Sequence, residues 1–367
     1  MKLTRPSPAA AAGAAAAAML ASEARADDRE DALRKLIEPL PKPEDDISEK
    51  ILREILSGGA DTIANLTVMT GQQFGVKEGV KPKYAVHGLV HYVCRDGAQN
   101  ERKLVAETLA GLLDDDHSDE LKAFICRQLQ LCGRDAEVPA LANLLVSDRL
   151  CEPAAQALGA IGSDEAAAAL RGALPKAAGA RRTTLINALG RLADSASAKE
   201  IRGDVDAKDE DLRVVARYAL GNMADAGAAE ALLKAADGQP GYERTQATEA
   251  CLRLARGLAA DGKSADAEKI CRKLMEMRAG DDEVHDRCAA LACLGDVLGV
   301  KALDDFSAAL ASKNAWLRKG AARNAVELGR AIAEKQPKEA RQLLEKAIES
   351  TDEAAVHADA QVILLDL

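Results

Sequence analysis

The sequence predicts an all-α protein, a right-handed superhelical α-solenoid of antiparallel helix pairs, and three observations predict it. Hydrophobic residues make up 48% of the 367 but aromatic residues only 2%, so the apolar surface is carried mostly by Ala and Leu. Such side chains suit closely packed helices, whereas a sheet would draw on Val, Ile, Thr and aromatic residues. Leu-Gly pairs recur at Leu158/Gly159, Leu189/Gly190 and Leu220/Gly221, 31 residues apart each time. Each is followed by a short break, Ser163-Asp164, Asp194-Ser195 or Ala224-Asp225, and then by a second Ala/Leu segment over 165–174, 198–201 or 228–233. Two helices joined by a tight turn at this period form a unit that buries its apolar side only against the next unit.

The same unit extends in both directions. Upstream, 121–131 pairs with 138–145 across Gly133, and 83–94 pairs with 100–113. Residues 31–67 supply an opening unit, Leu33 to Ile37 and Ile47 to Leu56, broken by Pro39-Leu40-Pro41-Lys42-Pro43, which no helix continues through. Thr70 to Pro82, rich in Gly and closed by Pro, reads as the main interior loop. Downstream, 243–258 pairs with 265–278, 286–295 with 302–310, and 318–329 with 340–348, leaving 354–365 as a terminal helix. The helices of 243–278 are long enough for a tetratricopeptide-like packing there. The division expected is an N-terminal helical cap over 27–82, repeats over 83–335 and capping helices over 336–367.

Residues 1–26 differ from the rest. Lys2 and Arg5 precede an Ala-rich run that ends at Met19-Leu20, and Ala24-Arg25-Ala26 supplies the small residues of a processing site. This is the order of a signal peptide, so the mature chain is expected outside the cytoplasm, in a periplasm; a cytoplasmic Ala/Pro-rich tail is the alternative. The apolar run is too short for a membrane span. The net charge of −10 opposes nucleic-acid binding, and losing 1–26 would make it two units more negative.

Arg213 to Gly221 with Ala228 to Leu232, and Arg149 to Gly159 with Ala166 to Leu170, follow a pattern of Arg, spaced Ala, then Ala-Leu-Gly, a turn and a second Ala/Leu helix. The pattern resembles the HEAT-repeat superfamily of armadillo-like helical solenoids, in the short bacterial form of phycobilisome-lyase-type repeat proteins. The resemblance spans about 83–335. It implies a solenoid and says little of function; it implies no lyase activity, because a repeat scaffold does not locate a chromophore site, while the long curved face that successive units build suits a protein or peptide partner.

Chemistry-bearing motifs are few. His87, His91 and Cys94 lie four and three residues apart, so a helix places all three on one face, as donors suited to zinc or copper. A fourth ligand is missing, as is the Glu of a His-Glu-x-x-His hydrolase, which favours histidines that pack or cap. Asp114 to Glu120 and Asp204 to Asp211 read as acidic turns that cap the next helix, without the register of a calcium loop. No nucleophile elbow, phosphate loop or dinucleotide fingerprint occurs, and no cofactor is expected.

Eight cysteines fall inside apolar helical patterns. Candidate bridges join the Cys126/Cys132 region to Cys151, or Cys251 to Cys271. Arg181, Arg182, Arg213, Arg217, Arg244, Arg318 and Arg323 recur near helix starts and are candidates to engage an acidic partner; salt bridging to the acidic turns is the competing reading. The function expected is a non-catalytic exported scaffold. The alternatives are a metal-binding or enzymatic accessory protein centred on His87, His91 and Cys94, and an accessory subunit of an envelope assembly.

Overall fold

The computed structural model describes residues 28–40, 49–72, 80–114, 116–278, 280 and 283–367. The expected signal peptide and residues 73–79 of the expected loop lie outside them. Among the described residues every regular element is helical, and they fall into two compact units, one ending at Ala173 and the other starting at Leu174. None of these helices is long and apolar enough to cross a membrane.

The first unit holds α1 (28–37), α2 (Glu49–Ser57), α3 (Gly59–Gln72), α4 (Val80–Val93), α5 (Gln99–Gly111), α6 (Asp119–Cys132), α7 (Val138–Asn143), α8 (Cys151–Ile161) and α9 (Asp164–Ala173). The second holds α10 (Ala180–Arg191), α11 (Ala198–Ile201), α12 (Glu210–Asn222), α13 (Ala229–Ala236), α14 (Tyr242–Ala260), α15 (Ser264–Met277), α16 (Val284–Leu298), α17 (Leu303–Leu310), α18 (Ala315–Ile332), α19 (Pro337–Ser350) and α20 (Ala354–Leu365). Within each unit the first helices of successive pairs pack on one another, α4 on α6 on α8 and α10 on α12 on α14 on α16 on α18. The second helices form a parallel layer, α7 beside α9, α13 beside α15 and α17 beside α19. This is an all-α build of successive helix pairs.

One repeat shows why the pattern folds this way. The Asp209 carboxylate accepts from the Leu212 amide at 2.9 Å, capping α12, and Glu210 and Asp211 in the first turn oppose the positive end of its dipole. The inner face of α12 buries Val214, Ala216, Ala219, Leu220 and Gly221. The helix ends where Ala224 enters the left-handed region at φ 52° and the Asp225 amide donates to the Leu220 carbonyl at 3.2 Å. Ala193 (φ 52°) and Gly162 (φ 70°) end α10 and α8 in the same way, so the turn itself repeats every 31 residues.

Leu158, Leu189 and Leu220 are fully buried. Their glycine neighbours are not equivalent. A methyl group on Gly221 would lie 2.7 Å from the Ala250 carbonyl oxygen, and one on Gly190 would lie 2.7 Å from the Ala219 Cα, whereas one on Gly159 meets nothing within 4 Å. Two of the three glycines therefore admit a neighbouring helix backbone. Gly221→Ala should cost about 1–3 kcal/mol by overpacking, while Gly159→Ala should gain about 0.5–1 kcal/mol from lost unfolded-state entropy. Opposite shifts of the urea midpoint check this, and equal shifts would contradict it.

The stretch expected as a loop is shorter than its Gly and Pro content suggested. Thr70 to Gln72 complete α3, and α4 begins at Val80. The buried Thr67 and Thr70 hydroxyls each donate to a carbonyl one turn back, at 2.7 Å, so these residues stay satisfied inside a helix. Pro82 sits in the first turn of α4, where an amide has no intrahelical acceptor to lose.

Candidate functional site

The histidine pair stands on α4. His87 and His91 are both exposed, with their Nε2 atoms 3.1 Å apart and their rings edge to face at 4.5 Å. His87 Nδ1 lies 3.0 Å from Oε1 of Gln128, a residue of α6 that is 4% exposed. Cys94 does not join them: its thiol donates to the Leu131 carbonyl at 3.4 Å. Among the described residues no three His, Cys, Asp or Glu side chains are placed to hold a metal ion, which corrects the three-donor reading of His87, His91 and Cys94. One face of a helix is not one point in space, and Cys94 follows the last residue of α4.

The recurring arginines are held largely by their own chain. Arg182 pairs with Asp204 through Nε and Nη2, at 3.0 and 2.7 Å, and donates to the Leu174 carbonyl at 3.1 Å. Arg213, 31 residues on, pairs with Glu243 and donates to the carbonyls of Ala207 and Lys208. Arg318 makes the same move toward Ser312 and Lys313, at 2.6 and 3.0 Å. In each case a guanidinium at the start of a first helix ties down the turn before it. Arg244 pairs with Glu283 at 2.8 Å, and Arg323 holds both Glu353 oxygens at 2.8 Å. Arg217 is buried against the Val205 carbonyl and Glu243, and Arg181 is half-buried at the start of α10.

The bond from Arg213, aided by Arg217, holds the Glu243 carboxyl at about 2, below its ordinary 4.5, against a smaller upward push from burial. The folded state thus favours the ionised carboxylate. Its contribution is full above about pH 4.5 and fades as pH falls toward 2. Glu243→Gln should remove this part of the acid sensitivity, so the stability gap between wild type and variant should narrow over that window. A gap independent of pH in acid unfolding followed by circular dichroism would contradict it.

In the second unit a cleft of about 740 Å³ opens between α13 and α15. Its floor is Leu233, Leu258, Ile270 and Met277, and Lys234, Lys269 and Lys273 stand around it. Ala226 and Ala229 line the α13 side, too small to close the gap between the two helices. Lys269 is engaged by Asp266 at 3.3 Å and Lys273 by Glu276 at 3.1 Å. Sequence reading missed this site. Its one local signal is the apolar spacing of Ile270, Leu274 and Met277 along α15.

All eight cysteines are free thiols, six buried and two half-buried. Burial pushes Cys126, Cys132 and Cys251 up to about 12, which makes them packing groups and not nucleophiles. Cys271, expected to face Cys251, instead hydrogen-bonds to Cys293 of α16, and that bond with burial raises the Cys271 thiol.

No family model matches the chain, and no curated protein matches it. Among solved structures it is similar to the complex of CpcE and CpcF of phycocyanin lyase from Nostoc sp. PCC7120, with 17% identity over 63% of this chain and 94% of that chain, at a TM-score of 0.36.

Proposed function

We propose that this protein is a non-catalytic scaffold that binds a protein or peptide segment after export across a membrane. The cleft between α13 and α15 carries this reading. It has the size of a ligand site, an apolar floor and a charged surround, and it lies on the layer of second helices. Such a groove suits a segment that presents apolar side chains at helical spacing, with its polar flanks among the lysines and acids of the rim. Export rests on the order of basic, Ala-rich and small residues in 1–26.

The test uses the full chain immobilised in native extract, beside a Leu233→Glu/Met277→Glu variant. Both residues are half-buried in the groove, so the variant should melt close to wild type. A partner retained by wild type should bind the variant at least about tenfold more weakly, as expected for lost central contacts. Equal retention by both proteins would overturn the assignment of the groove. Sequencing the native N-terminus tests export: a chain starting at Asp27 is expected, and an intact Met1 in a cytoplasmic fraction would contradict it.

A further inference from the structure

We propose that His87 and His91 form a two-imidazole site for a divalent transition-metal ion, Cu²⁺ foremost, with Ni²⁺ and Zn²⁺ behind it. The argument starts from their separation. Two Nε2 atoms 3.1 Å apart, each bonded to one ion at about 2.0–2.1 Å, subtend an angle of roughly 100° at the metal. That lies between the right angle of square or octahedral geometry and the tetrahedral angle. The helix therefore presents the bite of a cis-chelating pair with little rearrangement.

Gln128 supplies an independent reason. Its Oε1 only accepts hydrogen bonds, so His87 carries its proton on Nδ1 and directs the bare lone pair of Nε2 toward His91. A buried carboxamide from a different helix thus fixes the tautomer that a metal ligand needs, the role such partners play around imidazole ligands generally. In the unliganded pair the His91 Nε2–H donates to His87 Nε2. Binding needs only that the exposed His91 move this proton to its own Nδ1 through solvent. The pair keeps its charge, and the two nitrogens replace two waters of the hydrated ion.

The surroundings select the class of ion. Lys83, one helical turn before His87, and Arg127, whose charge it feels, bring positive charge to this side of α4. Hard cations drawn mainly by charge are disfavoured, and the preference for nitrogen donors decides, which places Cu²⁺ first. Exposure leaves the other coordination positions open to water or to a donor from another molecule.

The test titrates untagged full-length protein with the chloride salts of Cu²⁺, Ni²⁺, Zn²⁺ and Mg²⁺ by calorimetry. One Cu²⁺ per chain, bound tightest, is expected, with no heat from Mg²⁺. His91→Asn, an exposed change that leaves the fold intact, should weaken Cu²⁺ at least about tenfold, and Gln128→Met should weaken it by about 10–100-fold. Cys94→Ser should bind like wild type, and the Cu²⁺ paramagnetic resonance spectrum should show coupling to two imidazole nitrogens that His91→Asn reduces to one. Equal binding by wild type and His91→Asn, or loss of binding in Cys94→Ser, would overturn the proposal.

Discussion

Replacing Arg278 with alanine should destabilise the second unit by about 3 kcal/mol, the lower end for a broken buried pair because Asp286 is one-third exposed and keeps water. Among the described residues Arg278 is the largest side chain buried almost completely, with 1% exposure. Its Nε donates to Asp286 Oδ2 at 3.0 Å, and its Nη2 donates to Thr248 Oγ1 at 3.0 Å and to the Ala236 carbonyl. Three elements meet at one guanidinium: the end of α13, the middle of α14 and the start of α16. Truncation leaves the Ala236 carbonyl and one face of Thr248 without this donor and opens a cavity the size of the side chain. Arg278→Met keeps most of the volume and removes the charge that needed partners, so it should cost less than alanine. Urea midpoints of the two variants check the order. Equal losses would mean that volume alone matters at this position.

Much of the fold was legible because its determinants are local. The 31-residue recurrence of Leu158, Leu189 and Leu220 is written in the sequence, and so are the acidic N-caps and the tight turns between paired helices. The terminal helix expected over 354–365 is observed as Ala354–Leu365. The loop over 70–82 was overdrawn because glycine count says nothing of where the Thr67 and Thr70 hydroxyls find acceptors. Gly159, Gly190 and Gly221 look alike in sequence, yet only the last two face a neighbouring backbone within 3 Å of an added methyl.

The sites were less legible because they depend on how helices are rotated against one another. The spacing of His87 and His91 could be read directly, but Gln128, 41 residues from His87, could not. Cys271 has Cys293 as its neighbour because α15 turns that edge toward α16. Salt bridging of the arginines was one of two readings open in sequence, but the particular acceptors were not, such as those five or six residues before Arg213 and thirty after it. The groove is lined by residues far apart in sequence, Ala229 and Leu233 on one side and Ile270 and Met277 on the other, which come together only through helix packing.

The account depends on successive helix pairs covering one another, so that each recurring leucine occupies the same kind of interior place. Leu158→Ala, Leu189→Ala and Leu220→Ala test this most directly when measured separately by urea unfolding followed at a helical wavelength. All three side chains are at 0% exposure, so each variant should lose about 2–5 kcal/mol. A loss below about 0.5 kcal/mol at any of the three, the range of ordinary surface changes, would contradict the repeat.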